Sequence, residues 1–136
     1  MDEVKAKGML KAFMLGIIIQ KGRVHGYEIY KDLIDLGKNK WRPSIGTIYR
    51  MLNEMVKEGL IEKQEIIEGK RTVIYYRPTQ QGIIEFVVRS KLFLEKVYLG
   101  LSLLTATLQE LKKVGMSDEE LEQKVRKILE LLKKYF

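Results

Sequence analysis

The chain has 136 residues, a net charge of +7 and a hydrophobic fraction of 46%. This length suits one compact domain or a small domain with an appended arm, and the hydrophobic fraction argues against a disordered chain. The basic excess favours a polyanionic partner such as nucleic acid over an anionic membrane surface. The absence of cysteine excludes disulfides and thiolate chemistry, and it fits a reducing cytoplasm.

Enzyme chemistry finds little support in the sequence. One histidine and no cysteine leave no catalytic triad, and neither metal-ligand spacing nor a phosphate-binding glycine loop is present. The longest uncharged stretch, residues 97–109, is shorter than the ~18–20 residues of a membrane span, and the N-terminus does not resemble a signal peptide. We therefore expect a cytoplasmic protein that is not an enzyme, needs no cofactor or metal and does not cross a membrane.

Apolar residues at helical spacing predict a first helix over residues 7–20 and a second over residues 26–36. The segment KGRVHG separates them. The loop GKNKWRP that follows is basic and contains the only tryptophan, Trp41.

Residues 41–60 are the most informative segment. Ser44 is a good N-cap residue directly after a proline, and Gly59 stands where a helix would end. One predicted face is apolar, formed by Ile45, Ile48, Tyr49, Leu52, Met55 and Val56. The other face has nothing to bury, and on it we place Thr47, Arg50, Met51, Glu54 and Lys57.

A hairpin follows this third helix. LIEKQEII and TVIYYRP are typical of strands, and EGKR between them forms a basic turn that contains glycine. The order of helix, helix, capped helix and basic hairpin is typical of a winged helix-turn-helix, which lays its third helix in the DNA major groove.

The C-terminal part is predicted to be helical. Thr79 is an N-cap candidate for a long helix over residues 79–113, which would extend ~50 Å and is apolar on more than one side. Such a helix must be buried on several sides, which a two-fold homodimer would achieve. Ser117 and Glu120 form a capping box before a final helix over residues 118–134.

The predicted fold is therefore mostly α with a small β-hairpin. A winged helix-turn-helix DNA-binding domain covers residues 1–78, and a C-terminal helical dimerisation region covers residues 79–136.

Four motifs resemble the PadR family of transcriptional regulators: HGYEI at 25–29, PSIGTIYRML at 43–52, EGLIE at 58–62 and YYRPTQQG at 75–82. The resemblance covers about residues 9–82. It implies a dimeric DNA-binding regulator, usually a repressor, whose operator affinity a small molecule can alter. One departure is visible: the family often has proline after the tyrosine of the recognition helix, where this chain has Arg50. Arginine keeps the helix intact and places a cation on its outward face.

The candidate DNA contacts lie on the third helix and the wing. Arg50 and Thr47 are candidates for contacts to base edges, and Ser44 is a candidate for binding a phosphate at the helix N-terminus. Lys70 and Arg71, at the hairpin tip, could reach the backbone or the minor groove. The alternative is that these polar side chains contact only solvent, as they do on any exposed helix face or turn.

Two tyrosines are candidates for phosphate contacts through their hydroxyl groups, Tyr27 and Tyr49. Tyr49 lies near the apolar face, so a partly buried core residue is an alternative. His25 could contact a phosphate, although a residue of this kind more often caps a helix or anchors a turn.

A pocket for an aromatic effector could be lined by Trp41, Phe86, Phe93 and Tyr98, although aromatic residues at helical spacing are more often core. Two other functions stay open: a winged-helix module that binds protein, and a basic DNA-binding protein without a specific operator. Arg50 on the recognition face argues against the first of these.

Overall fold

The computed structural model describes residues 2–38 and 40–136, with side chains from residue 8 onward. This part of the chain contains five helices and three strands: α1 Asp2–Lys21, β1 Val24–His25, α2 Gly26–Gly37, α3 Ile45–Lys57, β2 Ile61–Glu68, β3 Arg71–Pro78, α4 Gln80–Lys113 and α5 Glu119–Tyr135. The chain divides into two compact units, Met1–Phe93 and Leu94–Phe136.

All five predicted helices are present, and the two strands of the predicted hairpin are β2 and β3. Helix α1 begins at Asp2, five residues before the predicted start. Strand β1 was not predicted, because two residues are too few to show an alternating pattern. It pairs with β3, so the sheet is antiparallel with the order β1-β3-β2.

The core of the first unit lies between α1, α2, α3 and the sheet. Its fully buried side chains are Met14, Leu15, Ile18, Val24, Ile29, Leu33, Ile48, Met51, Leu52, Met55 and Ile61. Burying each large aliphatic side chain contributes roughly 1.5–3 kcal/mol before the cost of ordering the chain. This packing fixes which face of α3 is left outside.

The buried stripe of α3 differs from the predicted one at three residues. Met51 was expected to project outward, but its side chain is only 1% exposed. The buried residues Ile48, Met51, Leu52 and Met55 follow the i, i+3, i+4, i+7 spacing of a single helix face. Ile45 and Tyr49, which we had placed on that face, lie at its edge and are 42% and 40% exposed.

Hydrogen bonds of Thr79 join the start of α4 to the end of α3. The Thr79 hydroxyl accepts from the Gly82 backbone N–H at 3.0 Å, which confirms it as a cap. The same hydroxyl donates to the Gly59 carbonyl oxygen at 2.7 Å, and the Thr79 N–H donates to the Leu60 carbonyl oxygen at 3.2 Å. The first turn of α4 therefore packs directly against the backbone that leaves α3.

The predicted capping box of the last helix is wrong by one residue. The N-cap of α5 is Asp118, whose carboxylate accepts from the Leu121 N–H at 2.9 Å, and Ser117 lies outside the helix. A carboxylate at this position also interacts favourably with the positive end of the helix dipole, which Ser117 could not do.

Apolar side chains of the second unit are largely exposed. On α4 they include Tyr98, Leu99 and Leu103, and on α5 they include Ile128, Leu129 and Leu132. Lys112 and Glu122 form an ion pair at 3.2 Å near the connection between the two helices. Neither α4 nor any other described helix is both long and apolar enough to cross a membrane.

Candidate DNA-binding interface

Three polar side chains form a row along the outside of the N-terminal half of α3. The Ser44 hydroxyl caps the helix by accepting from the Thr47 N–H at 3.1 Å, and it lies 2.8 Å from the Thr47 hydroxyl. The Arg50 guanidinium donates to that same Thr47 hydroxyl at 3.4 Å. The spacing of three residues places all of them on one side of the helix. Local hydrogen bonds therefore link three of the candidate DNA contacts.

Tyr49 lies at the edge of the contact between α3 and α2. Its ring covers Gly26, where an added Cβ would lie only 2.6 Å from a ring carbon. Glycine at this position therefore allows the tyrosine to approach the start of α2. Because the side chain is also 40% exposed, it combines a partly buried ring with access to solvent.

His25 is the N-cap of α2. Its Nδ1 accepts from the Glu28 N–H at 3.2 Å, which leaves Nε2 as the nitrogen that carries the proton in the neutral ring. The capping role that we considered for this residue is confirmed. Tyr27 follows it at the start of α2, with its ring 53% exposed and 6.1 Å from the ring of Tyr30.

The wing turns between Glu68 and Arg71, which are paired directly across its two strands. Gly69 has a φ of 64° at the turn, a conformation that glycine adopts without strain. The side chains of Lys70 and Arg71 are exposed at this tip. Both predicted wing cations are therefore accessible.

A groove of about 570 Å³ lies between the start of α2, α3 and the wing. Three candidate DNA contacts line it: Tyr27, Tyr49 and Arg71. A second groove, of about 620 Å³, lies at the other end of the sheet, beside Val56 and Thr79. The structure thus brings six of the seven candidates together in two groups, one along α3 and one around the first groove, and Lys70 belongs to neither group.

Sequence reasoning missed a contact between the residue before β1 and the outer face of the wing. The guanidinium carbon of Arg23 lies 4.4 Å from the centroid of the Tyr75 ring. The Tyr75 hydroxyl donates to the Glu68 carboxylate at 2.8 Å. The pairing of Tyr75 with β1 brings Arg23 near, and that pairing has no local signal in the sequence.

Two neighbouring tyrosines of β3 have shifted pKa values for different reasons. The hydrogen bond to the Glu68 carboxylate is the main cause that raises the pKa of Tyr75. Burial raises the pKa of Tyr76, whose ring belongs to the core. Both hydroxyls therefore stay protonated at neutral pH, and Tyr75 remains a hydrogen-bond donor.

The four aromatic residues predicted for an effector pocket lie in different surroundings. Trp41 packs edge-on against Phe13, with ring centroids 5.6 Å apart, and both flank the core. Phe86 packs over Gly16, where an added Cβ would lie 3.2 Å from the ring. Phe93 and Tyr98 are exposed on α4. None of the four lines either groove, and the pocket stays a prediction.

The family model of PadR-like transcriptional regulators matches residues 14–87, which is more than half of the chain. The chain belongs to the PadR-like family. A PadR-like transcriptional regulator from Bacillus cereus is 30% identical, with 72% of this chain and 93% of that chain covered and a TM-score of 0.63. The fold class predicted from the sequence is thereby confirmed.

Two other solved structures share the fold at lower identity. Bacillus subtilis PadR, solved in complex with operator DNA, is 23% identical over 76% of this chain and 69% of that chain, with a TM-score of 0.54. A transcriptional regulator from Clostridium thermocellum is 23% identical over 77% and 93% of the two chains, with a TM-score of 0.58. A search of curated protein sequences finds no match.

Proposed function

We propose that this PadR-like chain is a sequence-specific DNA-binding repressor that acts as a homodimer in the cytoplasm. The observation that carries the proposal is the row of Ser44, Thr47 and Arg50, which hydrogen bonds link along α3 beside its buried face. Ser44 and Arg50 are exposed, and Thr47 is half-buried. A helix of this kind can enter the major groove with its N-terminal half facing the bases.

Within that docking, Arg50 is the residue that reads sequence. Arginine can bind O6 and N7 of guanine with two hydrogen bonds, and the Arg50 guanidinium already donates a long hydrogen bond of 3.4 Å to the Thr47 hydroxyl. Thr47 can itself meet a base edge through its methyl group. Ser44 stands at the helix N-terminus, where backbone N–H groups favour a phosphate.

The groove between α2, α3 and the wing suits the DNA backbone. Tyr27 and Tyr49 place exposed phenol rings there, and Arg71 adds a positive charge. Lys70 lies at the tip of the wing, within reach of the backbone or the minor groove. Bacillus subtilis PadR, which has the same fold, is known in complex with operator DNA, and this supports DNA as the partner.

Homodimer formation is inferred from the apolar surface of the C-terminal helices. One face of α5 and several faces of α4 expose large aliphatic side chains to solvent, and exposed patches of this kind mark interfaces. We propose that residues 79–136 form the dimerisation region, that residues 1–78 read DNA, and that two copies meet around a two-fold axis.

An effector would act on the geometry of this dimer. The two reading heads must be spaced near one helical turn of DNA, ~34–36 Å. A ligand that binds one arrangement of the long helices better than another shifts that spacing, by no more than its differential affinity. Phe86, Phe93 and Tyr98 are the aromatic side chains available on α4, and changes in Trp41 fluorescence on titrating aromatic cations and phenolic acids would detect binding.

Replacing Arg50 with alanine tests the assignment of the reading helix. We expect a loss of about 1–3 kcal/mol in operator binding and relaxed preference at one operator position. Binding to selected and scrambled duplexes, titrated at several salt concentrations, separates the loss of sequence preference from a loss of general affinity.

The matched control is Arg126→Ala, which removes the same charge from α5, where Arg126 faces Glu122 at 3.8 Å. This variant should retain both operator affinity and preference. If Arg50→Ala behaves like Arg126→Ala, then α3 does not read DNA as proposed. A wild-type protein that binds both duplexes equally would instead favour the DNA-binding module without a specific operator.

A further inference from the structure

The charges at the wing tip are not paired as their register would suggest. Glu68 and Arg71 are direct cross-strand partners, and opposite charges in this position usually attract each other across the strands. Glu68 instead accepts a hydrogen bond of 2.8 Å from the Tyr75 hydroxyl. Among the described residues, Arg71 has no ion-pair partner, although a carboxylate stands directly opposite it.

The Tyr75 ring is held in place by two neighbours on the outer face of the sheet. The Arg23 guanidinium lies over the ring at 4.4 Å from its centroid, a distance at which cation–π attraction operates. The His25 ring meets it at a steep angle, with centroids 6.1 Å apart. Tyr75 also pairs with His25 through the backbone. These contacts limit the directions in which the hydroxyl can point.

We propose that Tyr75 is a positioning residue of the wing, which holds the Glu68 carboxylate away from Arg71 and so leaves the Arg71 guanidinium free to bind a DNA phosphate. This inference rests on the proposed function, because it needs the wing to contact DNA. Arg71 lines the same groove as Tyr27 and Tyr49, so a guanidinium freed from Glu68 stands beside the proposed path of the backbone.

The Tyr75 hydroxyl can fill this role at the pH of any ordinary binding experiment. Its hydrogen bond to Glu68 raises the pKa of Tyr75, so the hydroxyl keeps its proton and continues to donate. Without the hydroxyl, Glu68 would turn to its cross-strand partner. An exposed ion pair is weak, so we expect its competition with a phosphate to reduce DNA affinity about two- to fivefold.

The test is a set of variants built on Tyr75→Phe, which keeps the ring under Arg23 and removes only the hydroxyl. Phosphate contacts are independent of sequence, so a random-sequence DNA duplex is a sufficient probe. Tyr75→Phe should weaken binding about two- to fivefold and flatten the dependence of log affinity on log salt by up to about one unit. Arg71→Ala should flatten it by about one unit.

The same substitution in two other backgrounds separates positioning from a structural role. When combined with Glu68→Gln, Tyr75→Phe should cause no further loss of DNA affinity, because no carboxylate remains to pair with Arg71. When combined with Arg71→Ala, Tyr75→Phe should again cause no further loss of DNA affinity, because the guanidinium that Glu68 would pair with is absent. Equal losses in all three backgrounds, or no loss in the wild-type background, would overturn the inference and leave the proposed function intact. A wild-type protein that fails to bind DNA would overturn both.

Discussion

Gly82→Ala should lower the free energy of unfolding by about 3 kcal/mol or more, the upper end of the effects of overpacking. A Cβ at this position would overlap the carbonyl oxygen of Leu60 and lie 3.0 Å from its carbonyl carbon. These are backbone atoms, so no side-chain rotation relieves the overlap. The first turn of α4 would have to move away from Leu60, and the hydrogen bonds of Thr79 would lengthen with it. Urea or thermal unfolding measures the loss.

Gly46→Ala is the matched control for this prediction. Gly46 also lies in the first turn of a helix, but the nearest atom to an added Cβ is the Ser44 hydroxyl oxygen at 4.0 Å. Alanine favours the helical state more than glycine does, so this variant should be as stable as the wild type or up to about 1 kcal/mol more stable. A Gly82→Ala protein with the same unfolding midpoint as the wild type would show that α4 does not pack so closely against Leu60.

Removing residues 94–136 should abolish dimerisation and reduce operator affinity at least about 100-fold. The remaining unit, Met1–Phe93, retains the core, the contact of Phe86 with Gly16 and the junction at Thr79. It loses the larger part of the exposed apolar surface from which the dimer is inferred, namely the rest of α4 with Tyr98, Leu99 and Leu103 and the whole of α5. Two linked half-site contacts bind the operator with an affinity about 10²–10⁴ times that of either contact alone, and a monomer lacks this gain. Sedimentation and DNA titration give the two readouts.

A duplex that contains one half-site is the control for the truncated chain. Full-length and truncated proteins should bind it with similar affinity, since each uses a single reading head on it. A truncated chain that stays dimeric in solution would contradict the placement of the interface in the C-terminal helices. So would a truncated chain that binds the full operator as tightly as the intact protein.

Local signals were sufficient to predict most of the helices. Ser44 and Thr79 are caps that act within three residues, and both were predicted from the sequence and found in the structure. The burial of α3 was harder to predict. Met51 and Tyr49 stand two residues apart, and each could belong to the stripe centred on Ile48 and Leu52. The structure decides in favour of Met51, which is buried, while Tyr49 is 40% exposed.

The candidate site likewise contains features that the sequence predicts and contacts that only the structure reveals. The row of Ser44, Thr47 and Arg50 follows from helix periodicity once the start of the helix is known. The contact between Arg23 and Tyr75 joins residues that are far apart in sequence, through a two-residue strand that no pattern predicts. Gly26 belongs to the motif HGYEI, but its packing against Tyr49 becomes visible only in three dimensions.

Selection of bound fragments from the genome of the source organism tests most directly whether α3 reads a specific operator. Wild-type protein should enrich fragments with a shared, two-fold symmetric sequence, whose half-sites lie about one helical turn apart. Arg50→Ala should lose enrichment of one base position in each half-site. Enriched fragments without a shared sequence, bound no more tightly than scrambled DNA at any salt concentration, would show that α3 does not read a specific operator.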